Sequence, residues 1–159
     1  MSNEQAIIRS NTENPQAAIS QALAQVLADT YILALKTQGF HWNVMGPQFV
    51  ALHDLFETQY RELFEAGDEI AERIRARGEM APGSYRQFVQ FSTIEEEVGT
   101  PNAQQMVTQL GRDHRTISAG LAAAVRLAEE HNDPVTAGLL TDRLQIHDKT
   151  AWMLEASAA

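Results

Sequence analysis

The feature that most constrains this chain is its long helical periods, three of them introduced by a capping residue and a proline. Asn14-Pro15, Thr100-Pro101 and Asp133-Pro134 each set a polar side chain before a residue with fixed φ and no N–H, the composition of a helix start. Behind Asn14-Pro15, Ile19, Leu23, Val26, Leu27, Thr30, Ala34 and Leu35 recur at helical spacing, which predicts a first helix from Pro15 to about Asn43. Met45-Gly46-Pro47 breaks it. A second helix is expected from Pro47 to about Arg77, stopped by Gly78, with a core stripe of Phe49, Leu52, Phe56, Tyr60, Leu63, Phe64, Gly67, Ile70, Ala71 and Ile74. Thr100-Pro101 opens a third, ending near His131, and Asp133-Pro134 a fourth, to about Ala156. Strand alternation is nowhere sustained.

Four long helices with one long connection, Glu79 to Gly99, predict an all-α, ferritin-like four-helix bundle. Ser84 to Phe91 is expected as a short helix in that connection, with Phe88 and Phe91 packed on the bundle. The predicted organisation is a short N-terminal extension at 1–14, the bundle at 15–156 and a C-terminal end at 157–159. The chain has 159 residues and a formal charge of −9, from 21 acidic and 12 basic side chains. Acidity disfavours nucleic acid and anionic membranes as partners and favours cations. There is no cysteine, which excludes disulfides and thiolate metal sites. No apolar stretch reads as a signal peptide or membrane span, so a cytoplasmic protein is expected.

The chemistry concentrates on the second helix. His53, Glu57, Asp68 and Glu72 lie within about 100° of one another around its axis, beside the core stripe, with Arg61 the one cation among them. Imidazole and carboxylate suit iron, zinc or manganese. His53 and Glu57 are one turn apart and can share an ion, as can Asp68 and Glu72, but about 16 Å of helix separates Glu57 from Asp68. A two-fold axis crossing antiparallel copies of the helix between Glu62 and Leu63 removes that obstacle. His53 then faces Glu72 of the mate, and Glu57 faces its Asp68, giving two equivalent sites per dimer. No histidine has Glu three residues before it, so an intrachain di-iron centre of the Glu-x-x-His kind is not expected.

Phe40-His41-Trp42-Asn43-Val44-Met45-Gly46-Pro47-Gln48-Phe49, then His53, then Asp68-Glu69-Ile70-Ala71-Glu72-Arg73, resembles the Dps mini-ferritin family. Asp133, Leu144, Asp148-Lys149 and Trp152 extend the resemblance into the fourth helix, so that it spans nearly the whole chain. It implies a hollow homo-dodecamer built from two-fold dimers. It also implies inter-subunit ferroxidase sites in which His41, His53 and Glu57 of one subunit meet Asp68 and Glu72 of another. Such sites bind Fe(II), oxidise it preferentially with hydrogen peroxide and pass ferric iron to storage, protecting against oxidative damage. Trp42 would stand beside the site.

Two departures matter. Glu57 stands where the family usually has Asp, and Gly138 where many members carry an acid lining a three-fold pore. Asp133 and Asp142 remain candidates for that pore, with a helix cap and a surface charge as their plainer roles. Asp54, Glu62, Glu65 and Glu69 are candidates for mineral nucleation, or else a solvated acidic face. Two other readings stay open. One is DNA condensation, for which Met1 to Asn14 offers only Arg9 against Glu4 and Glu13, so weak or no binding is expected. The other is a structural assembly with a zinc-occupied or inactive site. His114, His131 and His147 show no ligand spacing and are expected at surfaces or interfaces.

Overall fold

The computed structural model describes residues 14–159; of the expected extension at 1–14, residues 1–13 lie outside them. It contains α1 (Pro15–Asn43), α2 (Phe49–Ala76), the short α3 (Tyr85–Phe91), α4 (Ala103–Glu130) and α5 (Pro134–Ala158). The all-α bundle with a connector helix is thus the observed architecture. Asn14 caps α1 by accepting from Gln16 N at 3.0 Å, with Pro15 in the first turn. Asp133 caps α5 through Thr136 N at 3.0 Å, and Pro134 follows it.

Pro101 is not a helix start. Asn102 caps α4 instead, in a capping box: it accepts from Gln105 N while Gln105 Oε1 accepts from Asn102 N, both at 2.9 Å. The α2 helix likewise begins at Phe49, two residues after Pro47. Gly78 ends it as expected. At φ +91° it lets Glu79 N bond back to Ile74 O and its own N to Arg75 O, a Schellman closure. Asn132 does the same for α4 at φ 56°.

Side-chain pairs give the directions. Lys36 of α1 meets Asp113 of α4, Glu62 of α2 meets Arg143 of α5, and Arg115 of α4 meets Glu155 of α5. With the tight turns after α1 and α4, these contacts run α1 up, α2 and α4 down, α5 up. Because α2 and α4 are parallel, the chain must travel the length of the bundle between them, about 40 Å for 28 residues. That is why the connection is long.

The connector is pinned to α1 at three heights. Phe88 stacks on Tyr31, centroids 4.6 Å apart at 19°. Asp29 Oδ1 accepts from Ser92 Oγ (2.8 Å) and Thr93 N (2.6 Å). Burial pushes the Asp29 carboxyl up, while Thr93 and Ser92 pull it down without cancelling the effect. Lys36 Nζ donates to Glu95 O (3.1 Å) and to Asp113 Oδ2 (2.7 Å). Gly67 is needed for a different reason: a Cβ there would lie 2.7 Å from Tyr31 Cε2.

Three expectations need correction. Leu35, Phe49 and Phe91 are exposed rather than core. His114 and His147 are not surface histidines; both are buried between α4 and α5, with Nδ1 atoms 2.8 Å apart. His131 is exposed. Finally, α1 is long and apolar enough by length and composition to cross a membrane, contrary to the expectation of no such stretch. Its apolar residues serve the interior instead: Leu23, Leu27, Ala28, Leu33 and Ala34 are all buried against α2, α3 and α4.

Candidate metal centre

His41 lies in the last turn of α1 and His53 in the second turn of α2, on either side of the Val44–Gln48 connection. Each ring reaches across to the other's backbone. His41 Nδ1 is 2.8 Å from His53 O, and His53 Nδ1 is 2.8 Å from His41 O. A carbonyl only accepts, so in both rings Nδ1 carries the hydrogen. The His41 carbonyl, near a helix end, lacks the full set of intrahelical partners and gains one here. The consequence is chemical: in the neutral imidazole the lone pair sits on Nε2, so both rings present a free donor atom with the tautomer fixed by its outer bond.

The rings stack at 3.8 Å and 20°, with Phe49 stacked on His53 at 5.0 Å and Tyr60 edge-on to His41 at 5.3 Å. Glu57, one turn after His53, completes the group. One ligand atom from each of His41, His53 and Glu57 lies within 4.8 Å of the others. Two nitrogens and a carboxylate oxygen on one face, with open positions, suit an iron that must also take an oxidant. Glu57 is not bare: Arg61 Nε (2.9 Å) and Nη2 (2.6 Å) both donate to its Oε1. The Arg61 hydrogen bond holds the Glu57 carboxyl below its ordinary range.

The family described as the ferritin-like domain matches residues 20–158. A curated relative, DNA protection during starvation protein 2 of Bacillus anthracis, is 34% identical over 138 residues, covering 87% of this chain and 94% of the relative. The chain is a Dps-type mini-ferritin of the ferritin-like superfamily. An uncharacterized low temperature-induced protein of a Nostoc strain is 40% identical over 147 residues, 91% of this chain and 82% of the relative. The crystal structure of a Dps protein from Bacillus brevis superposes with a TM-score of 0.89 at 31% identity, covering 91% of this chain and 97% of that one. Within this family the His41, His53 and Glu57 group is the metal-binding part of a ferroxidase centre, with iron as its substrate.

The other site residues named from sequence are not gathered with these three within one chain. Asp68 and Glu72 lie further along α2 and are exposed. Trp42 is 62% exposed, and Met45 and Val50, close to it in the chain, are exposed as well. Asp54, Glu65, Glu69 and Asp142 are exposed, whereas Glu62 is occupied by Nη1 and Nη2 of Arg143. Asp133 is also occupied: it takes Arg73 Nη2 at 2.9 Å, Arg77 Nη1 and the Thr136 hydroxyl. Burial raises its carboxyl, but Thr136 and the two arginines outweigh that, leaving its pKa below the ordinary value.

Sequence reasoning noted Arg61 as a cation among the ligands without seeing its pairing with Glu57, although a Glu–Arg spacing of four was the signal. It also missed a buried polar chain. Arg143 Nη2 donates to His147 Nε2 at 3.3 Å, so His147 Nδ1–H donates to His114 Nδ1, and the hydrogen of His114 sits on Nε2. That Nε2 has no hydrogen-bond partner among the described residues. Burial, then the Arg143 charge, pushes His114 down to about 3. Burial, His114 and Arg143 hold His147 well below the ordinary value.

Proposed function

We propose that the chain assembles with copies of itself about two-fold axes, so that Asp68 and Glu72 of a mate close the site opened by His41, His53 and Glu57. The observation that carries this reading is the reciprocal pair of Nδ1 bonds. They leave each Nε2 free as a donor in a group that Glu57 joins within 4.8 Å, while Asp68 and Glu72 stand too far along the same helix to reach it. The exposed apolar side chains of Trp42, Met45 and Val50, close to His41 and His53 in the chain, supply a surface suited to a subunit contact.

In the closed site the two imidazoles are nitrogen donors, and the carboxylates offset the charge of Fe(II) and of the ferric product. Two Fe(II) ions each give up one electron, the O–O bond of one hydrogen peroxide breaks, and two protons complete two waters. Oxidation thereby consumes both reagents of hydroxyl-radical formation. Dodecameric assembly follows the family pattern, with ferric iron stored in the hollow interior, the exposed Asp54, Glu65 and Glu69 toward nucleation and Asp142 toward entry; Glu62, paired with Arg143, and Asp133, held by Arg73, Arg77 and Thr136, are already neutralised and take the plainer structural roles. The protein works in the cytoplasm. Tight DNA binding is not part of the reading, since phosphate contacts need cations and the chain is strongly acidic.

Replacing His41 and His53 together by Gly tests it. Fe(II) is added under argon, then peroxide, and ferric absorbance is followed by stopped flow, with the assembly checked by size. Loss of the fast phase in an intact assembly is expected; unchanged kinetics would sink the assignment.

A further inference from the structure

Arg61 makes both of its hydrogen bonds to a single oxygen of Glu57, Oε1. Its guanidinium also lies 5.6 Å from the centroid of the Tyr60 ring, whose edge meets His41 at 5.3 Å. The cation therefore rests at the metal-binding group on two supports, the ligand carboxylate and the aromatic wall. A divalent ion arriving at Glu57 meets an oxygen already committed and a positive charge in the next turn. Both effects oppose metal binding. One turn beyond Arg61 stands Glu65, exposed and at the same four-residue spacing, so Glu57, Arg61 and Glu65 form a ladder along α2.

Resting on the reading of His41, His53 and Glu57 as the iron site, we propose that Arg61 is a displaceable counter-ion. It neutralises Glu57 in the metal-free site and swings to Glu65 when a divalent metal takes the carboxylate. Such a device keeps the acidic pocket from holding metal permanently and favours release of the oxidised product, which a site that must turn over requires. It also gives the longer Glu57 side chain a reason: its reach lets it pair with a cation one turn ahead and still serve as a ligand. Arg61 is a positioning residue here, acting through Glu57.

The test is Co(II) binding to the assembled protein under argon, read by calorimetry and by the visible bands of the bound ion, with no oxidation involved. Arg61→Gln is expected to tighten Co(II) binding about five- to tenfold, by removing both the competitor and the repulsion. Arg61→Lys, which keeps the charge, should return affinity toward the parent value. Glu65→Gln, which removes the alternative partner, should weaken binding. In a Glu57→Gln background the gain from Arg61→Gln should shrink, because no carboxylate remains to be contested. Binding by Arg61→Gln that is unchanged or weaker overturns the proposal. The His41→Gly/His53→Gly protein separates the two levels. If it loses the Co(II) bands, the site stands and only the Arg61 role is at issue; if it keeps them, the site reading fails and takes this inference with it.

Discussion

Acid stability should be governed by the buried histidine pair. In the fold His114 accepts no proton until about pH 3, whereas an unhindered imidazole does so near 6.5. Between those values the unfolded chain binds the extra proton, so the contribution to stability is complete above pH 6.5 and is lost progressively as pH falls toward 3. At pH 5 the unfolded state gains about 1.5 pH units of protonation free energy, or about 2 kcal/mol, from His114 alone. That figure needs only that the histidine stay neutral in the fold at pH 5. His147 acts in the same direction, since a proton on its Nε2 would face the Arg143 guanidinium. The perturbation is a non-titrating pair, His114→Gln with His147→Asn, and the assay is denaturant unfolding at pH 7 and pH 5 at one fixed subunit concentration. The parent should lose at least about 2 kcal/mol more than the variant between the two pH values. The Asp and Glu carboxyls are common to both proteins, so their contribution cancels in the comparison. Parallel losses in parent and variant would refute the argument. The single His114→Gln protein gives the same comparison at smaller amplitude if the double variant folds poorly.

Three further outcomes follow from the packing and charge. Gly67→Ala would set a methyl 2.7 Å from the Tyr31 ring, so a loss of about 1–3 kcal/mol is expected in thermal or denaturant unfolding. Lys36→Met removes the buried cation of Asp113, leaving only the exposed Arg112 at 3.8 Å, and should cost about 3 kcal/mol, much of it recovered when Asp113→Leu is added. In a gel shift at low salt and neutral pH, with metal ions excluded, the protein should not retard duplex DNA; tight retention would contradict the charge argument.

The bundle was legible because its signals are local. Asn14-Pro15 and Asp133-Pro134 are caps that need no tertiary partner, and Gly78 stops α2 through bonds within six residues. Thr100-Pro101 misled because two capping signals stand side by side, and the reciprocal bonds of Asn102 and Gln105 win. His53 and Glu57 were legible from spacing on one helix. His41 came from the resemblance, and what the sequence could not give is the exchange of Nδ1 bonds with His53 across two helices. The buried histidines were missed for the same physical reason. Their polar atoms are satisfied largely by each other and by Arg143, a tertiary arrangement with no mark in the local pattern. Leu35 and Phe49 show the converse: each fits an apolar period, yet one chain leaves them uncovered.

The exchange of hydrogen bonds between His41 and His53 also determines how damage to the site adds up. Each ring is oriented by the carbonyl of the residue that bears the other ring, so the two ligands are held as one object spanning α1 and α2. Removing either side chain deletes one donor atom and strips the stacking that steadies its neighbour. Losses from the two single substitutions should therefore overlap rather than sum, and an inventory crediting each histidine with its own share would count the same free energy twice. The turn between them, with Gly46 at φ +110°, belongs to that object too, because a change of register there would misdirect both nitrogens at once.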